Sequence, residues 1–203
     1  MPIQRTTLRA ALPVALLACA LSACSGGDSH VSSGEKHAAG KEGVTVSTHD
    51  PSGGERATGQ VATGAVSEGD QRVTYDVVAE KVDVGTEAEA QRLVADKEAA
   101  KGLVLAVAHV RFTHKAGPPL TDSPDVNDAT TIWADGKRTA LLIGASDDGP
   151  GCEDPYDLGG WKQGESHTLC ESYLIPANSK SVEVHWSADD TSEPFIWKFA
   201  FNG

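Results

Sequence analysis

Residues 103 to 114 read LVLAVAHVRFTH, and this run decides the expected fold. Every second residue from Val104 to Phe112 is apolar, and side chains at that period share one face of a β-strand. The first half of the run is apolar on the opposite face as well. Because strands that are apolar on both faces are typical of the middle of a sheet, we expect this strand to be central.

The segment before this strand predicts one more strand and a helix. Residues 72–84, RVTYDVVAEKVDV, alternate between apolar and polar side chains, which predicts a half-buried strand. Thr86 and Glu89 then have the spacing of a capping box, and Gly102 can adopt the left-handed conformation that ends a helix. We therefore expect a single helix at about 87–101.

The segment after the central strand predicts a hairpin and three further strands. Asp135 and Gly136 lie between two strand-like runs and favour a tight type I′ turn. The later candidates are HTLCESYLIP, SVEVHWSA and PFIWKFAFN. About seven strands with one helix and no regular alternation of strand and helix predict an all-β, antiparallel sandwich over residues 71–203.

The order of these motifs resembles that of a known group of proteins. The runs GLVLAVAHVRF, WADGKR, WKQGES and TLCESYLIPANSKSVEVHW are similar to secreted actinobacterial lipoproteins that carry an immunoglobulin-like domain of unknown function. The resemblance covers roughly residues 72–202 and implies a telokin-like sandwich of the immunoprotective extracellular type. This chain departs from the family's pattern in its long helix and in the absence of an asparagine after the second strand.

The first 23 residues have the layout of a lipoprotein signal peptide. Arg5 and Arg9 precede an apolar core at residues 11–23, which is shorter than the roughly 20 apolar residues of a membrane span. Leu21-Ser22-Ala23-Cys24 resembles the bacterial lipobox. The resemblance implies cleavage before Cys24, a diacylglyceryl group on its sulfur and a further acyl group, such as palmitate, on the new amino terminus. We expect anchoring at the extracytoplasmic face of the cell membrane. The alternative is an ordinary secretory signal in which Cys24 is incidental.

Composition divides the remaining chain and excludes some partners. Residues 24–70 are rich in Gly, Ser, Ala, Thr and charge, and all the aromatic residues lie later in the chain, so we expect a disordered tether there. The formal net charge is −12, and removal of a signal that carries two arginines and no acids makes it more negative. Because phosphate binding needs clustered Lys and Arg, nucleic acid is not an expected partner.

The four cysteines have separate predicted fates. Cys19 leaves with the signal and Cys24 takes the lipid, so Cys152 and Cys170 remain. In an oxidising compartment these two have one possible pairing, and we expect a structural disulfide. The alternative is a reactive thiol near His167.

Metal binding is a weaker hypothesis. An acidic loop offers oxygen ligands of the kind that calcium takes, at Asp147, Asp148, Glu153, Asp154 and Asp157. The spacing does not match an EF-hand, and solvated charge explains the cluster equally well. No histidines have the short spacing of a zinc site, and we expect solvated imidazoles at His109 and His185. The tether histidines are candidates for loose metal capture only.

Two loop aromatics are the best candidates for contact with a partner. Tyr156 and Trp161 lie among glycines and acids, where such residues often anchor interfaces. The favoured interpretation is nevertheless that one or both fold back over the core near the disulfide, and partner contact is the alternative. No G-x-S-x-G or S-x-x-K motif is present, so we expect no catalytic residue, no enzyme activity and no cofactor besides the lipid on Cys24. The sequence therefore predicts a cell-envelope lipoprotein whose domain has a structural role or binds an unknown protein or glycan. Metal binding and, less favoured, a secreted hydrolase are the alternatives.

Overall fold

The computed structural model describes residues 52–143, 145, 149–191 and 193–201, and these residues form two five-stranded sheets. The strands are β1 (Gly54–Arg56), β2 (Ala62–Glu68), β3 (Gln71–Val84), β4 (Leu103–Ala116), β5 (Thr130–Ala134), β6 (Lys137–Arg138), β7 (Ala140–Leu141), β8 (Ser166–Pro176), β9 (Ser181–Trp186) and β10 (Phe195–Ala200). One helix, α1 (Glu87–Leu93), and two short 3₁₀ helices, Val126–Ala129 and Pro155–Asp157, complete the elements. The predicted all-β sandwich with one helix is confirmed. The immunoglobulin-like type that the resemblance implies stays a prediction.

The first sheet confirms the central position of β4. Its strand order is β2-β3-β4-β8-β7, and all of its pairings are antiparallel. β4 pairs with β3 on one side and with β8 on the other along most of its length. Its apolar residues from Val104 to Phe112 are buried against the second sheet's side chains, as the alternation predicts.

The second sheet has the order β1-β10-β9-β5-β6. Its pairings are antiparallel except that the short edge strand β1 runs parallel to β10. The predicted hairpin is present between β5 and β6, where Asp135 and Gly136 both have positive φ, 48° and 73°. After this turn the chain crosses to the first sheet, because β7 pairs with β8.

The core lies between the sheets and is dominated by aromatic residues. Its largest fully buried side chains include Trp161, Trp186, Trp197, Tyr75, Tyr173, Phe112 and Phe195. The rings of Phe112 and Trp186 meet edge to face across the two sheets, with centroids 6.4 Å apart. Burial of each such ring removes enough apolar surface from water to stabilise the fold by about 2–3 kcal/mol.

The predicted tether, residues 24–70, extends too far along the chain. Residues 52–70 contain β1 and β2, which belong to the sandwich. Small residues in β2 allow the two sheets to approach closely. A Cβ atom at Gly64 would lie 2.4 Å from the Cβ of Ala188 and 3.0 Å from the Trp186 ring. The small residues of β2, which suggest disorder in the sequence, therefore serve close packing between the sheets. The predicted tether from residue 24 to residue 51 lies outside the described residues, as does the signal peptide.

The predicted helix is correct at its beginning and too long at its end. Thr86 and Glu89 form the capping box. The helix ends at Leu93, and Val94 is extended. The Asp96 side chain then accepts a hydrogen bond from the backbone N–H of Glu98, 3.0 Å away, and turns lead into β4. A side chain that bonds the nearby backbone competes with helix formation, which explains the early end. Within the described residues, no helix is long and apolar enough to span a membrane.

Candidate binding groove

A groove of about 500 Å³ opens beside β8. Four parts of the chain line it: the loop and 3₁₀ helix at 123–130, the segment from Arg138 to Ile143, the Pro155-Tyr156 pair, and the β8 residues Glu171 and Tyr173. We call this surface the Tyr156 groove. It is the surface where the described residues bring exposed apolar, charged and buried polar side chains together.

The rim of the Tyr156 groove is apolar and exposed to solvent. Tyr156 is 79% exposed, Ile143 is 89% exposed and Leu141 is 49% exposed. Among the described residues, these three make up half of the large hydrophobic side chains that are exposed. Scattered exposed apolar residues are normal on a protein surface, but a cluster around a concavity is typical of an interaction site.

The floor of the groove is polar and partly unpaired. The Asn127 side chain donates to Glu171 Oε1 at 2.5 Å, and the Tyr173 hydroxyl donates to the backbone oxygen of Thr130 at 2.7 Å. Burial raises the pKa of the Tyr173 phenol, so the phenol stays protonated as a donor. Asn127 Oδ1 and Thr130 Oγ1 are shielded from solvent and have no hydrogen-bond partner among the described residues. Unpaired buried polar atoms are uncommon in native proteins.

The charge of the groove is predominantly negative. Three carboxylates line it, at Asp125, Asp128 and Glu171, with one cation at Arg138. Asp125, Asp128 and Arg138 are exposed, and Glu171 is half-buried. Such a lining attracts a positively charged ligand and disfavours an anionic one.

A buried carboxylate, Glu68, positions the 3₁₀ helix that supplies the floor. Its Oε2 accepts from Asp125 N at 2.5 Å, and its Oε1 accepts from Val126 N at 3.1 Å and from the Tyr75 hydroxyl at 2.7 Å. Trp186 Nε1 donates to the Val126 oxygen at the other side of the turn. Burial raises the pKa of Glu68, although the hydrogen bonds that it accepts oppose this.

Local interactions in the following loop present Tyr156. The Asp154 side chain accepts from Tyr156 N at 2.8 Å, and Pro155 begins the short 3₁₀ helix. The predicted disulfide between Cys152 and Cys170 is present, with Cα atoms 5.5 Å apart, and joins this loop to β8. Glu153 accepts from His167 and from Thr168 N on the same strand. The loop is therefore held at its base while the Tyr156 ring is exposed.

The two aromatic candidates from the sequence have different positions. Tyr156 lies exposed on the groove rim, and its role in partner binding stays a prediction. Trp161 is 1% exposed, packs on the Tyr75 ring at 5.3 Å and donates its Nε1 hydrogen to the Glu165 oxygen. Trp161 therefore covers the core, which is the favoured interpretation of the sequence, and the alternative, a role in partner contact, is wrong.

The acidic loop is dispersed as far as the structure describes it. Asp147 and Asp148 lie outside the described residues, as does the predicted lipidation site Cys24. Glu153 pairs with His167 at 2.8 Å, Asp154 caps the 3₁₀ helix, and Asp157 is exposed at the end of that helix. Among the described residues, these three carboxylates do not form a shared ligand cluster.

The prediction of solvated imidazoles at His109 and His185 is wrong. His109 is 3% exposed and bonds Asp83, and burial lowers its pKa. His185 is also buried, stacks on Trp133 with centroids 4.8 Å apart and bonds Glu183 at 2.9 Å. Both imidazoles lie on strand faces that the alternation of apolar and polar residues predicts to be solvent-exposed. Neighbouring side chains cover them there.

Sequence reasoning missed the groove residues Asn127, Thr130, Leu141 and Ile143. Leu141 and Ile143 lie in a run that reads as a strand, LLIG, and the only local sign against that reading is the short length of the run. The strand ends at Leu141, which leaves Ile143 without a sheet to pack on.

Comparisons with known proteins add little to this description. No family model and no curated protein matches the chain. A similar solved structure is described as a "putative lipoprotein" from Staphylococcus aureus, with 10% sequence identity, coverage of 69% of this chain and 92% of that chain, and a TM-score of 0.42. A likeness this distant transfers no function from that protein to this chain.

Proposed function

We propose that this chain is a lipid-anchored protein of the cell envelope whose sandwich is a non-catalytic binding module. The Tyr156 groove binds a protein segment that carries basic and apolar side chains. One observation carries the binding role. Leu141, Ile143 and Tyr156, from two separate segments of the chain, converge on a single concave surface with a negatively charged lining.

The apolar rim supports a binding role because its exposure has no benefit for the isolated domain. A Tyr or Ile side chain that a partner covers contributes on the order of 2 kcal/mol through burial of apolar surface. Tyrosine is also enriched among the residues that dominate interface energies. Trp161, in the same loop, shows that an aromatic residue here can pack inward, so Tyr156 is not exposed for lack of a core.

The charge of the lining favours a basic peptide over a glycan. Asp125, Asp128 and Glu171 outnumber Arg138, and a Lys or Arg side chain on the partner complements them. Sugar recognition commonly uses broad aromatic faces, whereas Tyr156 is the one aromatic ring on the described part of the rim.

The anchor is supported by sequence alone. The charged head, the apolar core and Leu21-Ser22-Ala23-Cys24 occur in the order that lipidation requires. Two or more acyl chains hold a protein stably on a membrane, whereas one does so marginally. Replacement of Cys24 by Ala should move the protein from the membrane fraction to the soluble fraction and leave its mass without added lipid. Unchanged fractionation and mass would contradict the anchor.

Selection from a displayed library of short random peptides tests the groove. We expect the full chain to enrich peptides that place Lys or Arg beside an apolar residue. Their affinity should fall as salt is raised, because exposed charge pairs are screened. Tyr156→Ala and Ile143→Ser should each weaken binding at least about tenfold, the effect of losing a central interface residue.

Leu93→Ser is the matched control, because Leu93 is also an exposed large apolar residue but lies on α1, outside the groove. It should leave the affinity unchanged. The groove proposal is wrong if no sequence is enriched, or if Leu93→Ser weakens binding as much as Tyr156→Ala.

A further inference from the structure

Four side chains form a row across the outer face of the first sheet, and none of them lines the Tyr156 groove. Asp83 Oδ2 lies 2.9 Å from His109 Nε2. On the other side of the ring, His109 Nδ1 lies 3.3 Å from Cys170 Sγ and 3.8 Å from Cys152 Sγ. His109 and Cys170 are both buried, at 3% and 6% exposure. The row brings a carboxylate, an imidazole and two sulfur atoms together.

Strand pairing fixes three members of this row. β3, β4 and β8 are adjacent, and His109 on β4 is the direct cross-strand partner of Cys170 on β8. Lys81 is the partner of His109 on β3, and Asp83 follows two residues later on the same face. Cys152 arrives from a loop and is half-buried. The sheet therefore holds Asp83, His109 and Cys170, while a loop residue completes the set.

The hydrogen bonds define how the imidazole is oriented. When Nε2 donates its proton to Asp83, the Nδ1 lone pair is directed at both sulfur atoms. A histidine that binds a metal commonly donates its other ring N–H to a carboxylate, which orients the ring and raises its basicity. Asp83 has the position of such an outer carboxylate.

We propose that reduction of the Cys152–Cys170 disulfide creates a zinc-binding site formed by the two thiolates and His109 Nδ1. The three ligand atoms already lie within 4.8 Å of one another. Tetrahedral zinc, with Zn–S of about 2.3 Å and Zn–N of about 2.1 Å, places sulfur and nitrogen about 3.6 Å apart. The two observed sulfur-to-nitrogen distances bracket this value.

Binding requires the two sulfur atoms to separate to about 3.8 Å, the spacing of two thiolates on one zinc ion. Cys170 is held by pairing on β8, so the movement falls on Cys152 and its loop. Because Cys152 is half-buried, water can reach the fourth position on the metal. Three protein ligands with an open fourth position are typical of an accessible zinc site.

The chemistry balances with a dithiol as reductant. The dithiol gives two electrons and two protons to the disulfide and becomes a disulfide itself, while Cys152 and Cys170 become thiols. Zinc then displaces both thiol protons and binds the neutral imidazole through Nδ1, with the Nε2 proton still donated to Asp83. The oxidised and reduced domains thus differ in whether they can hold the metal.

The test uses the full chain with Cys19→Ser and Cys24→Ser, so that Cys152 and Cys170 are the only cysteines. Zinc affinity is measured against a chromophoric chelator, before and after dithiol reduction and removal of the reductant. We expect one tightly bound zinc ion per chain in the reduced protein and none of comparable affinity in the oxidised protein. Cobalt bound in place of zinc should show thiolate-to-metal absorption in the reduced protein only.

His109→Ala should weaken zinc binding to the reduced protein at least about a hundredfold, and Asp83→Asn about 10- to 100-fold. His185→Ala is the matched control, because His185 is also buried and bonds a carboxylate, Glu183, but its described contacts include no sulfur. It should leave the affinity unchanged. Equal binding by the His109→Ala protein, or by the oxidised protein, would overturn the proposal.

Reduction can also loosen the domain, and circular dichroism in the aromatic region monitors this. If the signal is lost on reduction, zinc should restore it, because metal binding contributes free energy to folding. A reduced domain that stays folded without binding zinc, or one that zinc fails to restore, contradicts the site.

Discussion

The segment at residues 125–130 separates two regions that treat buried polar groups differently. On the side of Glu68, both carboxylate oxygens accept hydrogen bonds, from Asp125 N, Val126 N and the Tyr75 hydroxyl. On the side of the Tyr156 groove, Asn127 Oδ1 and Thr130 Oγ1 have no partner among the described residues. The satisfied cluster fixes the backbone, whereas the two shielded oxygens beneath the groove are left without a partner among the described residues.

The loop from Glu153 to Glu165 repeats this contrast with two aromatic residues. Trp161 is buried and has its indole hydrogen bonded, and Tyr156 projects from a capped turn into solvent. Stability and binding are therefore assigned to different residues of the same loop. This division can be tested by substituting a stabilising residue or a binding residue separately.

Trp161→Ala should have the largest effect on stability. It removes a fully buried indole that packs on Tyr75 and His167, and such truncations cost about 3–5 kcal/mol. Urea unfolding should show this loss in the free energy of unfolding, and Trp161→Phe should recover part of it. A loss below about 1 kcal/mol would mean that Trp161 does not stabilise the fold as a core residue.

Glu68→Ala should rank second. It leaves two backbone N–H groups and the Tyr75 hydroxyl without an acceptor, at about 1 kcal/mol or more for each. We expect a total loss of about 3 kcal/mol in the free energy of unfolding, measured by urea denaturation. Glu68→Gln keeps one acceptor oxygen and should lose less. Equal stability of wild type and Glu68→Ala would show that this region does not fix the turn.

The pH dependence of stability should also trace to Glu68. Burial is the main cause of its raised pKa, so the folded state binds its proton more tightly than the unfolded state. Stability from this group is therefore present at low pH and falls as the pH rises through the window above 4.5, by up to about 1.4 kcal/mol per pH unit. Urea unfolding from about pH 4 to about pH 7 should show this decline in wild type relative to Glu68→Gln. Parallel curves would contradict it.

Tyr156→Ala should have the smallest effect on stability. Its side chain is exposed, and substitutions at such positions usually change the free energy of unfolding by no more than about 0.5 kcal/mol. Thermal unfolding of the variant should therefore match that of wild type within error. A marked drop in melting temperature would mean that Tyr156 is part of the fold.

Local signals in the sequence predicted much of the sandwich. The period of residues 103–114 identified the central strand, the pair Asp135-Gly136 identified the hairpin, and Thr86 with Glu89 identified the start of α1. Each of these depends on interactions between residues that are close in sequence. The Cys152–Cys170 bridge was predicted because elimination left one pairing.

The remaining features depend on contacts between distant residues. β2 reads as disordered because its small residues make sense only beside Trp186 and Ala188. The Tyr156 groove combines four separate segments, and no local pattern links Asn127 to Ile143. His109 reads as solvated because the loop that carries Cys152 covers it only in the folded chain.

The binding role of the Tyr156 groove is tested by comparing the affinity of a selected basic peptide for wild type and for Tyr156→Ala. Fluorescence anisotropy with the labelled peptide gives both dissociation constants, and Leu93→Ser provides the control. We expect the dissociation constant to rise at least about tenfold in Tyr156→Ala, with unchanged stability, and to stay at the wild-type value in Leu93→Ser. Equal dissociation constants for wild type and Tyr156→Ala would contradict a binding role for the groove.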